Sequence, residues 1–226
     1  MPGHNLSDDT KDVVRLGTGL VGTIAALVLG LLIASAKGTY DTKVGQVRQI
    51  TASIILLDQL LAQYGPEARA SRDQLRRSID PFVDRLWQEN KSVPAKTTPF
   101  EATSTAEWTI TRVLELSPQT DAQRSLKARI VQLTGDLAQT RLLLFTQADS
   151  SIPMPFLGVL ALWLTILFAS FTLFARPNTT VMVALLIFAL SASAAIFLIL
   201  ELSQPFSGLM AISSEPLRHA LAPLEP

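Results

Sequence analysis

The 226-residue chain is 48% hydrophobic and only 17% charged, less than the roughly one quarter usual in soluble domains, and its mean hydropathy is positive. Nineteen Lys and Arg balance nineteen Asp and Glu, so no net field points to nucleic acid. The chain has no cysteine, which excludes disulfides, iron–sulfur clusters and thiolate zinc; its two histidines, His4 and His219, lie in opposite tails, which counts against a histidine-built metal or haem site inside one chain.

The shortage of charge is confined to three windows, Leu16–Ala36, Pro155–Ala175 and Val181–Leu202. Each holds about twenty residues, enough at roughly 1.5 Å per residue to cross a hydrocarbon core of roughly 30 Å. Only helices and closed barrels satisfy their backbone in lipid, and these unbroken apolar runs lack a strand's alternation. The predicted fold class is an all-α membrane protein with three transmembrane helices and a helical bundle inserted between the first and second.

Residues 1–12 are polar, include Pro2, Gly3, Asp8 and Asp9, and read as a disordered lead. The first transmembrane helix is placed at 13–38. Lys11 and Arg15 before the apolar run that starts at Leu16, and Ala34-Ser35-Ala36 at its end, match a signal peptide, but the run exceeds the roughly 7–15 residues of such segments. It reads as an uncleaved anchor.

The bundle is placed at 39–152. Past Lys37-Gly38-Thr39-Tyr40 no stop follows. Val44, Val47, Ile50, Ile54, Leu57 and Leu61 recur at three- and four-residue steps, so one helix continues out of the membrane. Gly65-Pro66 ends it and opens a second helix, from about Pro66 to Asn90, with Leu75, Ile79, Phe82 or Val83, and Leu86 inward. Arg69, Arg72, Arg76 and Arg77 crowd that helix and read as a solvated face, or as a contact for anionic lipid heads or an acidic partner. Lys91–Pro99 is a loop, and a shorter helix covers about Thr105–Leu116 with Trp108, Val113 and Leu116. Ser117-Pro118 supplies a cap and first turn for the last soluble helix, where Leu126, Ile130, Leu133, Leu137 and Leu144 form the clearest stripe before Ser150-Ser151-Ile152-Pro153.

The second and third transmembrane helices, at 153–176 and 179–202, form a hairpin through Arg176-Pro177-Asn178-Thr179-Thr180. Pro177 stops one helix, and Asn178 or Thr179 caps the next. The third helix ends on Glu201, and the tail at 203–226 opens with Pro205-Phe206-Ser207-Gly208. A carboxylate at a helix C-terminus opposes the macrodipole, Pro205 forbids further helix, and Gly208 permits a sharp turn. The tail is therefore expected to fold back along the membrane surface toward the bundle. Basic residues near membrane ends are Lys37, Lys43, Arg48, Arg141 and Arg218 on the bundle side against Lys11, Arg15 and Arg176 on the other, which favours a cytoplasmic bundle.

Three patterns bear on chemistry. Gly17-Thr18-Gly19-Leu20-Val21-Gly22 matches the string of a dinucleotide loop, but no strand feeds it and it sits in an apolar run, so that reading fails. The glycines belong instead to a stripe of small residues every fourth position, including Gly22, Ala26, Gly30 and Ala34, of the kind that packs helices closely in lipid. The second transmembrane helix repeats the theme with Gly158, Ala161, Thr165, Ala169 and Thr172, and the third with Ala184, Ser191 and Ala195. Such faces either pack helices, within or between chains, or line a shared pore, for which Thr165, Thr172, Ser191 and Ser193 are the candidates. The apolar windows carry no ionisable residue before Glu201, which counts against a proton relay. No nucleophile–base set or paired-carboxylate cleft stands out, so no enzyme activity and no cofactor is expected.

The order of elements, with YDTKVGQVRQ (40–49), LAQYGPEAR (61–69) and LELSQPFSG (200–208), resembles the bestrophin-like domain family of bacterial membrane proteins. The likeness covers nearly the whole chain, and Pro205-Phe206-Ser207-Gly208 is its most specific part. Two departures stand beside it: members often begin with one further hydrophobic helix, and they tend to carry Glu-Trp where this chain has Leu86-Trp87 with Asp84 nearby. The family's name implies similarity to bestrophins, pentameric anion channels with a hydrophobic neck. The resemblance thus implies a homo-oligomer, a pentamer by analogy, in the bacterial inner membrane. The expected function is an oligomeric ion channel, anion-selective if the analogy holds, with Glu201, Pro205, Phe206 and Gly208 fixing its cytoplasmic mouth. The alternative is a non-conducting sensor or scaffold whose bundle binds a partner.

Overall fold

The computed structural model describes residues 8–88, 111–146, 154–174 and 178–220, and among these there is no strand. The helices are α1 (Asp8–Tyr64), a 3-10 turn (Pro66–Ala68), α2 (Arg69–Gln88), α3 (Asp121–Thr146), α4 (Met154–Phe174), α5 (Thr179–Leu202) and the short α6 (Glu215–Arg218). Residues 111–114 are also helical. The described residues within Met1–Thr39 and Ile152–Ser203 form one compact unit, and those within Tyr40–Ser151 and Gln204–Pro226 form a second. The expected loop at 91–99, Trp108, the stop at 150–153 and the turn residues Arg176 and Pro177 lie outside the described residues.

α1 has 57 residues, about 85 Å at 1.5 Å per residue, far more than a bilayer core requires. It also starts earlier than expected. Residues 8–12 are helical rather than part of a disordered lead, because no Gly or Pro stands between Asp8 and Leu16 and a nucleated helix extends at small cost per residue. At its other end Gly65 adopts φ 124°, a conformation that only glycine takes without strain. A side chain there would also meet Glu67 Oε2 at 2.8 Å.

In the first unit, stretches of α1, α4 and α5 are each long and apolar enough to cross a membrane. They share a small buried cluster of Ala25, Leu160 and Leu167, with Val21, Leu29, Leu32, Trp163, Leu164 and Ile196 packed on it. Leu20, Leu27, Leu31, Leu162 and Phe188 are each more than half exposed. Apolar surface on that scale fits a bilayer rather than water, so the chain is an integral membrane protein in contact with lipid.

The second unit has the larger core. Val47, Ile50, Ile54, Leu57 and Leu61 of α1 pack on Leu75, Ile79, Val83 and Leu86 of α2 and on Ile130, Leu133, Leu137 and Leu144 of α3, with Val113 and Leu116 joining them. Those are the stripes read from the sequence. Two caps differ from expectation. α3 starts at Asp121, not at Ser117-Pro118, because the Thr120 hydroxyl accepts the Gln123 N–H at 3.1 Å and sets the first turn there. Asn178 stands at the N-cap of α5 with extended backbone, yet its side chain makes no capping hydrogen bond.

Candidate functional site

Within the first unit α1 packs through Val21, Ala25, Leu29 and Leu32, not through its stripe of small residues. Of the stripe, Gly22 is half-buried, with Leu167 Cδ2 3.7 Å from where a Cβ would stand, while Ala26, Gly30 and Ala34 are exposed. Nothing lies within 4 Å of a Cβ built on Gly30. A groove of about 620 Å³ opens among Thr18, Gly22, Leu167, Phe171, Ala184 and Phe188, with Arg15 also on its wall.

The four hydroxyl candidates are all exposed. Three give their protons to their own helix: Thr165 to Ala161 O at 2.8 Å, Thr172 to Ala169 O at 2.8 Å and Ser191 to Ile187 O at 2.9 Å. Such back-bonds satisfy a hydroxyl against lipid and leave its lone pairs outward. At about 100° per residue, Thr165 and Thr172 are seven apart and share one face of α4. Ser191 and Ser193 are two apart, about 200° around α5, so one lumen cannot take both.

The tail is built into the second unit. Phe206 is 3% exposed and meets Trp87 of α2 edge-on, ring centroids 5.3 Å apart at 72°. The Trp87 Nε1–H donates to Ile212 O at 2.7 Å, the Ile212 N–H to Pro205 O at 2.7 Å, and the Tyr40 hydroxyl to Met210 O at 2.9 Å. Gly208 turns the chain at φ 87°. Arg218 follows with Asp84 at 2.5 Å and Asp80 at 3.6 Å. Pro205, Phe206 and Gly208 thus lock the tail into the bundle, with Phe206 a core residue. Glu201, in the last turn of α5, is half-buried and engaged with a partner.

A sequence profile of the bestrophin-like domain matches residues 1–217. The chain belongs to the bestrophin-like family. The bestrophin-like chain also shares its fold with the crystal structure of a bacterial bestrophin homologue from Klebsiella pneumoniae, at TM-score 0.67 and 14% identity over 92% of this chain and 86% of that one. A point variant of that homologue superposes at TM-score 0.69, again at 14% identity, over 92% and 87% of the two chains. No curated protein matches the sequence.

In this bestrophin-like bundle two polar features stand apart from the stripes. Asp58 has no exposure and receives both Nε and Nη2 of Arg72 at 2.8 Å, with Arg76 Nε at 3.4 Å. These hydrogen bonds raise the Arg72 pKa against a smaller opposing effect of burial. The arginine cluster is therefore not simply a solvated face. The clue in the sequence is Asp58 standing four residues after Ile54, on the apolar stripe, with Arg72 and Arg76 one helical turn apart. The second feature is Arg141 of α3, which is buried with its guanidinium carbon 4.4 Å from the Phe82 ring centroid.

Proposed function

We propose that the protein assembles several copies into an ion channel of the inner membrane, with the bundle on the cytoplasmic side. The observation that carries this reading is the pair of hydroxyls on one exposed face of α4, Thr165 and Thr172, in a unit of only three apolar helices. Three helices are too few to enclose an aqueous path, so a lumen needs several copies around it. Ala26, Gly30 and Ala34 give α1 a flat face on which the next copy can seat. Family resemblance implies the finer points, a pentamer and anion selectivity. Only one of Ser191 and Ser193 can share the lumen with Thr165 and Thr172. With no ionisable side chain in the apolar windows before Glu201, the constriction would be hydroxyl-lined or apolar and would gate by dewetting. Glu201, with the turn at Pro205 and Gly208, would stand at the cytoplasmic mouth.

The test is the mass of the full-length protein in nanodiscs. A closed ring of about five copies supports a shared pore. A monomer or dimer leaves no lumen and gives preference to a sensor or scaffold, in which α1 runs on from the membrane into a partner-binding bundle. In a ring, Ser191→Leu and Ser193→Leu should act unequally on ion flux into liposomes, one reducing it at least tenfold and the other leaving it near wild type. Equal effects would remove α5 from the pore wall.

A further inference from the structure

The groove of the first unit is walled by three helices: Gly19 and Gly22 of α1, Leu167 and Phe171 of α4, and Ala184 and Phe188 of α5. Apart from these apolar walls it carries Arg15 and the hydroxyls of Thr18 and Ser170. Ser170 gives its proton to Ile166 O at 2.8 Å and is satisfied within its own helix. Arg15 stands one residue before the apolar run that begins at Leu16, which sets it at headgroup depth. Its ion pair among the described residues is to Asp12, one turn further out, at 3.7 Å and with both side chains more than two-thirds exposed. Such a pair contributes little and gives way readily.

Along α1 the lining runs from Arg15 to Gly22, about 10 Å, or roughly a third of the hydrocarbon core. The volume of about 620 Å³ holds about twenty methylenes at roughly 30 Å³ each, the share of one water molecule in the liquid. Over that length it fits the headgroup-proximal parts of the two chains of one phospholipid. Gly19 helps to keep the groove open, since nothing lies within 4 Å of a Cβ built there.

We infer that this groove is a phospholipid site, in which the acyl chains lie among α1, α4 and α5 and the phosphate sits on the Arg15 guanidinium. The match is one of charge as well as shape: an apolar channel ends on a cation, as two acyl chains end on a phosphate. Thr18, one turn deeper than Arg15 on the same side of α1, puts a hydroxyl at the level of the lipid's ester carbonyls. Asp12, beyond Arg15, suits a headgroup with an amine, which makes phosphatidylethanolamine the probe. The inference does not depend on conduction. At about 100° per residue, Leu167, Ser170 and Phe171 are turned away from Thr165 and Thr172, so the lipid and a lumen do not compete for one face of α4. On α1 the lining stops at Gly22, short of Ala26, Gly30 and Ala34.

The experiment is native mass spectrometry of the full-length protein, delipidated in detergent and titrated with phosphatidylethanolamine or with diacylglycerol of the same chains. Wild type should hold one phosphatidylethanolamine per chain and bind it about fivefold more tightly than diacylglycerol, the order of preference that one cation at the headgroup level supplies. Arg15→Gln should bind the two alike, and Arg15→Lys should keep the preference. Gly19→Phe should hold neither lipid while keeping wild-type helicity, because its side chain starts in open space within the groove. Equal binding of the two lipids by wild type, or uptake of either by Gly19→Phe as in wild type, overturns the site. So does a wild type that takes up no lipid; loss of the oligomer in Gly19→Phe would then give the groove to a neighbouring copy.

Discussion

Asp58 is fully buried, and its charge is tolerated because Arg72 meets it with two parallel N–H···O bonds. Arg76 adds a longer, single contact. Removing one partner of a buried pair leaves the other uncompensated, so Arg72→Ala should destabilise the bundle by about 3 kcal/mol. Arg76→Ala should cost about 1 kcal/mol or less, because Arg72 still holds both carboxylate oxygens. Thermal midpoints of the two variants in nanodiscs separate these values, and equal losses would reject the forked geometry. Arg141 gives the opposite sign. Its pKa in the folded chain is lowered by burial to about 10, well below that of a free guanidinium. Below about pH 10 the guanidinium is charged in both states and its burial penalty is complete. From about pH 10 upward, until the free guanidinium itself titrates, the unfolded chain binds more protons than the folded one, so stability from this group rises with pH. The advantage of Arg141→Met over wild type should therefore shrink by about 2 kcal/mol from pH 9 to pH 11.5, as read by chemical denaturation. A gap that stays constant would mean that Arg141 keeps its ordinary pKa.

At the level of elements, the tail depends on a few contacts that act together. Trp87 supplies both the edge-on contact to Phe206 and the hydrogen bond to Ile212 O. Trp87→Phe removes the hydrogen bond and part of the ring contact, at about 1–2 kcal/mol, whereas Phe206→Ala empties a core position, at about 3–5 kcal/mol. Hydrogen exchange should therefore quicken at residues 206–212 in Trp87→Phe while the amides of α3 keep their protection. Phe206→Ala should speed exchange in both. If Trp87→Phe leaves the tail amides as slow as wild type, the hydrogen bond from Trp87 does not hold the tail. The helices and the return of the tail were legible because each rests on a local signal: apolar steps of three and four, Gly65 before Pro66, a proline and a glycine around Phe206. The caps were less so, since Ser117-Pro118 and Thr120 offer competing starts and the choice lies with the Gln123 N–H. What the sequence did not disclose are pairings between helices. Asp58 on the apolar stripe signals a buried charge, but nothing local names Arg72, 14 residues on, as its partner, or puts Arg141 under Phe82. The pore candidates were chosen by residue type, and spacing alone then sets Ser191 and Ser193 on opposing faces, so the two are not equivalent.

For the whole molecule the decisive question is whether the small-residue face of α1 meets another copy. Gly22 and Gly30 separate the alternatives because they belong to one stripe but differ within the chain. A side chain on Gly22 would approach Leu167 of α4, whereas one on Gly30 meets no atom within 4 Å. Leu at position 30 therefore has no clash inside its own chain, and it replaces a residue that disfavours helix by roughly 1 kcal/mol. If copies pack through this face, Gly30→Leu drives a bulky group into the neighbour and separates the helices. The expected outcome is loss of the oligomer by native mass measurement, with helicity and the thermal midpoint of the monomer unchanged or raised. Gly22→Leu should lower that midpoint as well, through its crowding of Leu167. An intact oligomer in Gly30→Leu would place the stripe against lipid. The assembly would then have to form through α4 and α5, and Thr165 and Thr172 would become packing residues rather than the wall of a pore.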